Sequence, residues 1–154
     1  MMKIGGMVEQ TGLTLYSILS LPDKPGTVAR ILKVFSEHKV NLHYITEGSS
    51  QDGTAILSFC VDQDSDDQID EVLKQVVERT DIQIKKLEFV GILGIYGPHF
   101  REKPSIAAKL FEALGREEIN ILSISSSIST ISCIVSLKEF DTAREIILQE
   151  FELP

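Results

Sequence analysis

Basic residues are scarce in this chain, which has 15 lysines and arginines against 23 aspartates and glutamates. The formal net charge is -8. A protein that binds the nucleic-acid backbone needs a basic surface to displace counterions. Anionic membrane surfaces likewise attract polybasic segments. We therefore expect neither a nucleic acid nor a membrane as a partner.

Long hydrophobic runs and cysteines are also few. No apolar stretch approaches the ~20 residues that span a bilayer, and the N-terminal "MMKIGGMVEQ" lacks the apolar core of an export signal. The two cysteines, Cys60 and Cys133, each lie in an apolar run. This pattern predicts buried free thiols in a reducing compartment, and hence a cytoplasmic protein.

Metal-binding and cofactor-binding motifs are missing too. The acidic segment 62–70 alternates aspartates, but a calcium loop requires Gly at its sixth position and Glu at its twelfth, where this chain has Asp67 and Leu73. The three histidines, His38, His43 and His99, are too scattered for a metal site. The glycines at 91–97 lack the GxGxxG order. We expect no metal and no cofactor.

Catalytic motifs are equally absent. The serines at 123–132 alternate with isoleucines and include no GxSxG elbow. Glu117 and Glu118 follow a predicted helix and form no partnered carboxylate pair. The serines are therefore predicted to form the polar face of a β-hairpin, and the two glutamates a solvated helix end. We expect that the chain is not an enzyme.

What the sequence does contain is an internal repeat. Residues 24–45 align with 103–124 without a gap, and Lys-Pro begins both segments. Each copy places apolar residues at i, i+3, i+4 and i+7, which predicts one buried helical stripe per copy. The matched stripes are Val28, Ile31, Leu32 and Phe35, and Ala107, Leu110, Phe111 and Leu114.

The first copy predicts a β-α-β-β-α-β unit. Apolar, β-prone residues indicate strands at 13–20, 41–47, 54–61 and 82–89. Pro25 suits the first turn of a helix that extends to about Lys39. Ser65 or Asp66 caps a second helix, which has an apolar stripe at Ile69, Val72, Leu73, Val76 and Val77. This order is that of a ferredoxin-like fold.

The second copy predicts strands at 88–96, 119–126 and 129–137 and a helix at about 104–115. A last helix carries Phe140, Ala143, Ile147 and Phe151 on one face. No fourth strand follows, which would leave one sheet edge unpaired. The segment 3–10 is β-like and otherwise unassigned, so we expect it to complete the second sheet.

The repeated pattern resembles a tandem pair of ACT domains, in particular those of the aspartokinase regulatory region. The resemblance rests on "LPDKPG" at 21–26, "NLHYITEG" at 41–48, "KPSIAAKLFEAL" at 103–114 and "INILSISSSISTISCIV" at 119–135. It implies an α+β fold of two ferredoxin-like βαββαβ units, with antiparallel sheets, helices on one face, and the first unit inserted into the second. The expected units are 13–87, and 3–10 plus 88–154.

The same resemblance implies a site for a free amino acid. A helix N-terminus offers unpaired N–H groups to a carboxylate, Asp23 accepts from the α-amino group, and Gly26 permits close approach. Asn120 and Ile121 would complete the pocket from a partner chain, which implies a homodimer. The full set of expected ligand-binding residues is Asp23, Lys24, Pro25, Gly26, Thr27, Val28, Asn41, His43, Glu47, Asn120 and Ile121.

The chain also departs from the family pattern. His43 replaces the usual Asp, Glu47 replaces a Gln, and Ser105 replaces a Gly in the second loop. Glu47 adds negative charge, which favours a cationic effector such as lysine, while threonine stays open. We expect the first loop to bind better than the second, in which Glu102 occupies the position of Asp23.

The expected function is therefore amino-acid sensing that controls an aspartokinase-type enzyme allosterically. The kinase catalytic domain is not part of this sequence, so a separate catalytic subunit is a possible partner. Two alternatives stay open, namely a dimerisation scaffold that binds no ligand and a standalone sensor for another pathway.

Overall fold

The computed structural model describes residues 1–77, 82–98, 100 and 103–154. The chain divides into two compact units. The inserted unit is Gly12–Glu88, and the split unit is Met1–Thr11 with Phe89–Pro154. Two long strands, β2 (Gly6–Pro22) and β5 (Gln83–Tyr96), contribute residues to both units.

The inserted unit has two helices on an antiparallel sheet. Its elements after β2 are α1 (Thr27–Glu37), β3 (Tyr44–Ser49), β4 (Thr54–Asp62), a 3-10 turn (Gln63–Ser65), α2 (Asp66–Val77) and β5. The strand order is β3-β4-β2-β5. Strand β4 pairs antiparallel with both β2 and β3, so it lies between these two strands.

The core of the inserted unit lies between this sheet and its helices. Alternate residues of β4 enter the core, because successive side chains of a strand point to opposite faces. They pack against the stripes of α1 and α2, which confirms the predicted stripes at Ile31 and Phe35 and at Ile69, Val72 and Leu73. Val28 and Leu32 pack at the margin of the core. The side chains of Val76 and Val77 lie outside the described part.

The split unit repeats this plan. Its remaining elements are β1 (Met2–Lys3), α3 (Ile106–Arg116), β6 (Ser123–Ser126), β7 (Thr130–Ser136), α4 (Leu137–Glu150) and β8 (Phe151–Glu152). The strand order is β2-β5-β7-β6, with β7 antiparallel to β5 and β6. Its core includes the predicted stripe residues Leu110, Leu114, Phe140, Ala143 and Ile147.

Phe151 was expected on the last helix, and this prediction was wrong. The helix ends at Glu150, and Phe151 begins β8, which pairs in parallel with β1 through Met2. Its ring is nevertheless buried in the core of the split unit. A helical apolar spacing that continues one position too far cannot reveal a pairing partner at the other end of the chain.

Several strand boundaries also differ from the predictions. Residues 6–10 and 13–20 belong to the single strand β2, whereas Lys3 lies in β1, and residues 83–89 and 88–96 belong to β5. The strands predicted from 41 and 119 begin later, at Tyr44 and Ser123. The reason is a left-handed turn after each helix, at Lys39 and Glu118, from which Val40 and Ile119 donate back to the helix carbonyls of Phe35 and Leu114.

The predicted fold class is confirmed, since the described residues form a mixed α+β structure with antiparallel strand pairing, apart from the short parallel pair β1–β8, and four helices. Every helix within the described ranges is too short or too polar to span a bilayer.

Candidate functional site

The candidate site is built on the turn between β2 and α1. Strand β2 ends at Pro22, which pairs with Thr54 of β4. The preceding residue, Leu21, is buried and holds this end of the strand against the core. The Asp23 N–H donates to the Gly53 carbonyl at 3.0 Å, and the Lys24 N–H donates to the Pro22 carbonyl at 3.0 Å. The backbone of the turn is therefore held in place while residues 22–26 remain exposed to solvent.

Helix α1 begins at Thr27, two residues later than predicted. The reason is Gly26, whose φ of 86° is left-handed and ends the helical conformation on its N-terminal side. The Gly26 carbonyl accepts the first helical bond, from the Arg30 N–H at 3.0 Å. No side chain caps this end, and the first turn carries no acidic residue. No side-chain oxygen or acidic group of the first turn therefore competes with an anion for the partial positive charge at this helix end.

Thr27 and Val28 form the inner wall of this turn. Val28 is half-buried against the core of the inserted unit. Thr27 is 8% exposed, and its hydroxyl has no hydrogen-bond partner among the described residues. Sequence reasoning assigned Thr27 to the site by resemblance only. No pattern in the sequence indicates that its hydroxyl is both buried and unpaired.

The structure separates Asn41 and His43 from this turn. Tyr44 pairs with Cys60 of β4, whereas Pro22 pairs with Thr54 at the other end of that strand. At about 3.3 Å per residue this is a separation of about 20 Å. Asn41 and His43 precede Tyr44 and lie at the far end. There His43 Nε2 contacts Asp62 Oδ1 at 3.0 Å.

Glu47 lies nearer to the turn. It pairs with Leu57 of β4, whose buried side chain faces the helices. Directly paired residues point to the same face of an antiparallel sheet, so Glu47 also lies on the helix side. It is exposed on β3, an edge strand of the inserted unit. The Glu47 carboxylate can therefore attract a cationic group that lies beside α1.

In the split unit, Asn120 and Ile121 lie just before β6, in the place that Asn41 and the residue after it have before β3 in the inserted unit. The Asn120 N–H donates to Glu139 Oε2 at 3.3 Å, and Ile121 packs at the margin of that unit's core. Their predicted role in a pocket with a partner chain stays a prediction. In the second loop, Ser105 precedes α3 with a right-handed φ of -83° and makes no side-chain cap. His99 and Glu102 lie outside the described residues.

The acidic segment that superficially resembles a calcium loop instead makes contacts within the protein. Asp66 Oδ2 accepts from the Thr14 hydroxyl at 3.0 Å, and Asp70 Oδ1 accepts from the Tyr16 hydroxyl at 2.8 Å. Lys86 Nζ lies 3.1 Å from Asp70 Oδ2 and 3.6 Å from Asp66 Oδ2. Throughout the described ranges, no group of three His, Cys, Asp or Glu side chains has a metal-binding arrangement.

These contacts change two pKa values. The pKa of the Tyr16 hydroxyl is raised, chiefly by burial and to a smaller extent by its hydrogen bond to Asp70. Partial desolvation opposes the charged form of Lys86, but its contacts with Asp70, Tyr16 and Asp66 together raise the pKa of its ammonium group. The network therefore stabilises protonated Tyr16 and Lys86 and fastens α2 to the sheet.

Comparison with protein families decides what this architecture is. One ACT-domain model matches residues 16–78, within the inserted unit, and a second ACT-domain model matches residues 93–151, within the split unit. The chain is a tandem pair of ACT domains. The Pro-rich turn before α1 thus belongs to the first ACT domain, and α3 and α4 belong to the second.

Relatives of this ACT pair are aspartate kinases. The aspartate kinase of Pseudomonas fluorescens is 29% identical over 154 residues, which cover 97% of this chain but 37% of that protein. The chain therefore spans little more than a third of the length of this curated relative.

Solved structures share the ACT-pair fold. The ligand-free regulatory subunit of aspartate kinase from Thermus thermophilus superposes with a TM-score of 0.86 at 22% identity, covering 97% of this chain and 99% of that one. E. coli aspartokinase III in complex with lysine and aspartate has a TM-score of 0.71 at 16% identity, covering 98% of this chain and 34% of that one.

Proposed function

We propose that this ACT pair is the amino-acid-sensing regulatory region of an aspartokinase-type enzyme, and that each compact unit is one ACT unit. The observation that carries the proposal is the uncapped start of α1. It combines the absence of a side-chain cap, a left-handed Gly26 and no acidic side chain in the first turn. The exposed carboxylate of Asp23 lies in the adjoining turn.

A zwitterion matches this arrangement at both of its charges. The effector's α-carboxylate binds the helix N-terminus, where backbone donors and the macrodipole favour an anion. The α-ammonium group donates to Asp23 in a charge-assisted hydrogen bond. Gly26 has nothing within 4 Å of the place where a Cβ would stand, so its backbone is open to the ligand.

The remainder of the pocket comes from a second copy of the chain. A homodimer that places Asn120 and Ile121 beside the turn would supply backbone groups for the amino-acid head. Their positions just before β6 leave them at the surface or margin of the split unit. Binding at such a joint favours one arrangement of the dimer and shifts its population, which is the physical basis of allosteric control.

Lysine and threonine are the proposed effectors. Glu47, on the helix side of β3, favours the ammonium group of lysine. The E. coli aspartokinase III structure contains lysine, which supports the same choice. Asn41 and His43 lie too far from Asp23 to contact the same small ligand within one chain. We therefore leave them out of the proposed contact set of the first loop.

The regulated activity is that of a kinase catalytic region, either a separate catalytic subunit or another part of the same protein. The relatives support this assignment because they are aspartate kinases and because a regulatory subunit of aspartate kinase shares the fold. The ACT pair itself carries no catalytic role in this proposal. Its place of action is the cytoplasm.

The test is calorimetric titration of the twenty amino acids into the chain, supported by thermal shift. A true effector stabilises the folded state by RT ln(1 + [L]/Kd), about 2.7 kcal/mol at a hundredfold excess over Kd. Replacing Asp23 with Asn removes a charged hydrogen bond and should weaken binding roughly ten- to a hundredfold. Asp67→Asn, at the start of α2, is the matched control and should bind as the unaltered chain does.

Each negative result has its own meaning. If no amino acid binds at millimolar concentration, the chain is a dimerisation scaffold and the sensing proposal fails. If binding occurs but Asp23→Asn is without effect, the site lies elsewhere. If an amino acid binds and co-purification yields an enzyme other than an aspartokinase, the chain is a sensor for another pathway.

A further inference from the structure

Thr27 has an unusual position at the start of α1. It lies on the stripe that faces the sheet, one turn before Ile31 and two turns before Phe35, and all three are buried. Its side chain is 8% exposed, yet its hydroxyl has no hydrogen-bond partner within the described part of the chain. Its backbone N–H donates to the Lys24 carbonyl at 3.2 Å.

An unpaired buried hydroxyl is unfavourable, because it has lost its water and gained no replacement. Valine has nearly the same shape and would avoid this cost. The unpaired hydroxyl directly follows Gly26, in the first turn of the helix that we propose receives the effector's carboxylate. Its location therefore suggests that the missing partner arrives with the ligand.

We infer that the Thr27 hydroxyl determines specificity by accepting a hydrogen bond from a donor group on the effector's side chain. The inference rests on the proposed function and adds the class of side chain that the site selects. The hydroxyl of threonine and the ammonium group of lysine both carry such a donor. An effector of the same shape without the donor leaves the Thr27 hydroxyl unpaired, as it is in the free protein, and gains no hydrogen bond there.

The experiment uses two ligand pairs, in each of which one member lacks the side-chain donor, and two variants. Threonine is compared with valine, and lysine with norleucine, by calorimetric titration into the full chain and into Thr27→Val and Thr27→Ser. We expect the unaltered chain to prefer the donor-bearing member of one pair by about tenfold or more. The pair that shows this preference identifies the source of the donor.

The variants separate the hydroxyl from the shape of the side chain. Thr27→Val should lower the preference to about twofold by weakening the donor-bearing ligand, with the affinity for its apolar analogue unchanged. Thr27→Ser, which keeps the hydroxyl, should retain most of the preference. An unchanged preference in Thr27→Val overturns the inference but leaves the proposed function intact. A chain that binds no amino acid overturns both.

A measurement without ligand tests the unpaired hydroxyl itself. Urea unfolding of the ligand-free chain should show a higher midpoint for Thr27→Val than for the unaltered protein, because the variant removes a desolvated polar group. A lower midpoint would show that the hydroxyl has a partner in the free protein, and this result also overturns the inference.

Discussion

Gly91 of β5 lies against the ring of Phe140 of α4 so closely that a Cβ on Gly91 would stand 2.6 Å from Phe140 Cδ2. The same Cβ would stand 3.0 Å from the Gln10 carbonyl oxygen. Phe140 is buried in the core of the split unit and has little room to move. The absence of a side chain at Gly91 therefore sets how near α4 approaches the sheet.

Gly91→Ala should lower the free energy of unfolding by about 1–3 kcal/mol, because overpacking a filled core forces side chains or backbone to shift. Urea denaturation measures the change. Gly115→Ala on α3 is the control, since nothing lies within 4 Å of its added Cβ, and it should stabilise the chain slightly. Combining Gly91→Ala with Phe140→Leu should recover part of the loss. Additive losses in the double variant would contradict the proposed clash.

Gly26→Ala should lower the free energy of unfolding by about 1–2 kcal/mol, the cost of a left-handed conformation for a residue with a Cβ. Open space surrounds the added methyl group, so the loss comes from backbone strain alone. Thermal denaturation provides the measurement. Gly48→Ala is the comparison, because Gly48 also has open space but no positive φ. Equal effects at the two positions would show that the φ of Gly26 is relaxed in solution.

Tyr16→Phe should cost about 1.5 kcal/mol at neutral pH, because it removes the hydrogen bond from the Tyr16 hydroxyl to the Asp70 carboxylate. Lys86 still contacts Asp70, which keeps the loss at the lower end of the usual range. Chemical denaturation at pH 7 measures it. A variant as stable as the unaltered chain would show that the hydroxyl is equally well hydrogen-bonded to water.

Ionisation of Tyr16 should lower the free energy of unfolding at alkaline pH. Burial, with the Asp70 hydrogen bond, raises the pKa of Tyr16 in the folded state above its unfolded value near 10. Its contribution is therefore complete below pH 10 and is lost as pH rises further, with a slope of about 1.4 kcal/mol per pH unit. Lys86 contributes in the same direction. Denaturation between pH 9 and 11 should show a shallower decline for Tyr16→Phe, and identical slopes would contradict this assignment.

The thiols of Cys60 and Cys133 should resist modification in the folded protein. Both are fully buried, and burial raises the pKa of each to about 12, so almost no thiolate is available at pH 8. An aromatic disulfide reagent should react slowly under native conditions and release two equivalents at once in denaturant. Rapid native reaction of either cysteine would show that its unit opens frequently.

The helices and their buried faces follow from the sequence. The apolar spacing at Ile31 and Phe35, and its repeat at Leu110 and Leu114, is a local property, because residues separated by three and four positions lie on one side of a helix. The order of the elements and the position of the Pro-rich turn are equally local. These local features were enough to predict the α+β class and to recognise the resemblance to ACT domains.

The partners of those elements depend on contacts between distant residues. Phe151 continues a helical spacing but belongs to a strand, because Met2 offers it hydrogen bonds that no local pattern can reveal. Asn41 and His43 are close to Glu47 in sequence, yet an extended strand carries them to the far end of β4 from Asp23.

The amino-acid sequence by itself determined the repeat, the helical stripes and the chemistry available in the turn at Asp23 and Gly26, since each depends on neighbouring residues and backbone preferences. Only the tertiary structure decided which side chains share a site and which polar atoms lack a partner. Thr27 shows the difference. Its identity is visible in the sequence, but the burial of its hydroxyl arises when α1 packs on the sheet, because desolvation is a property of the assembled core.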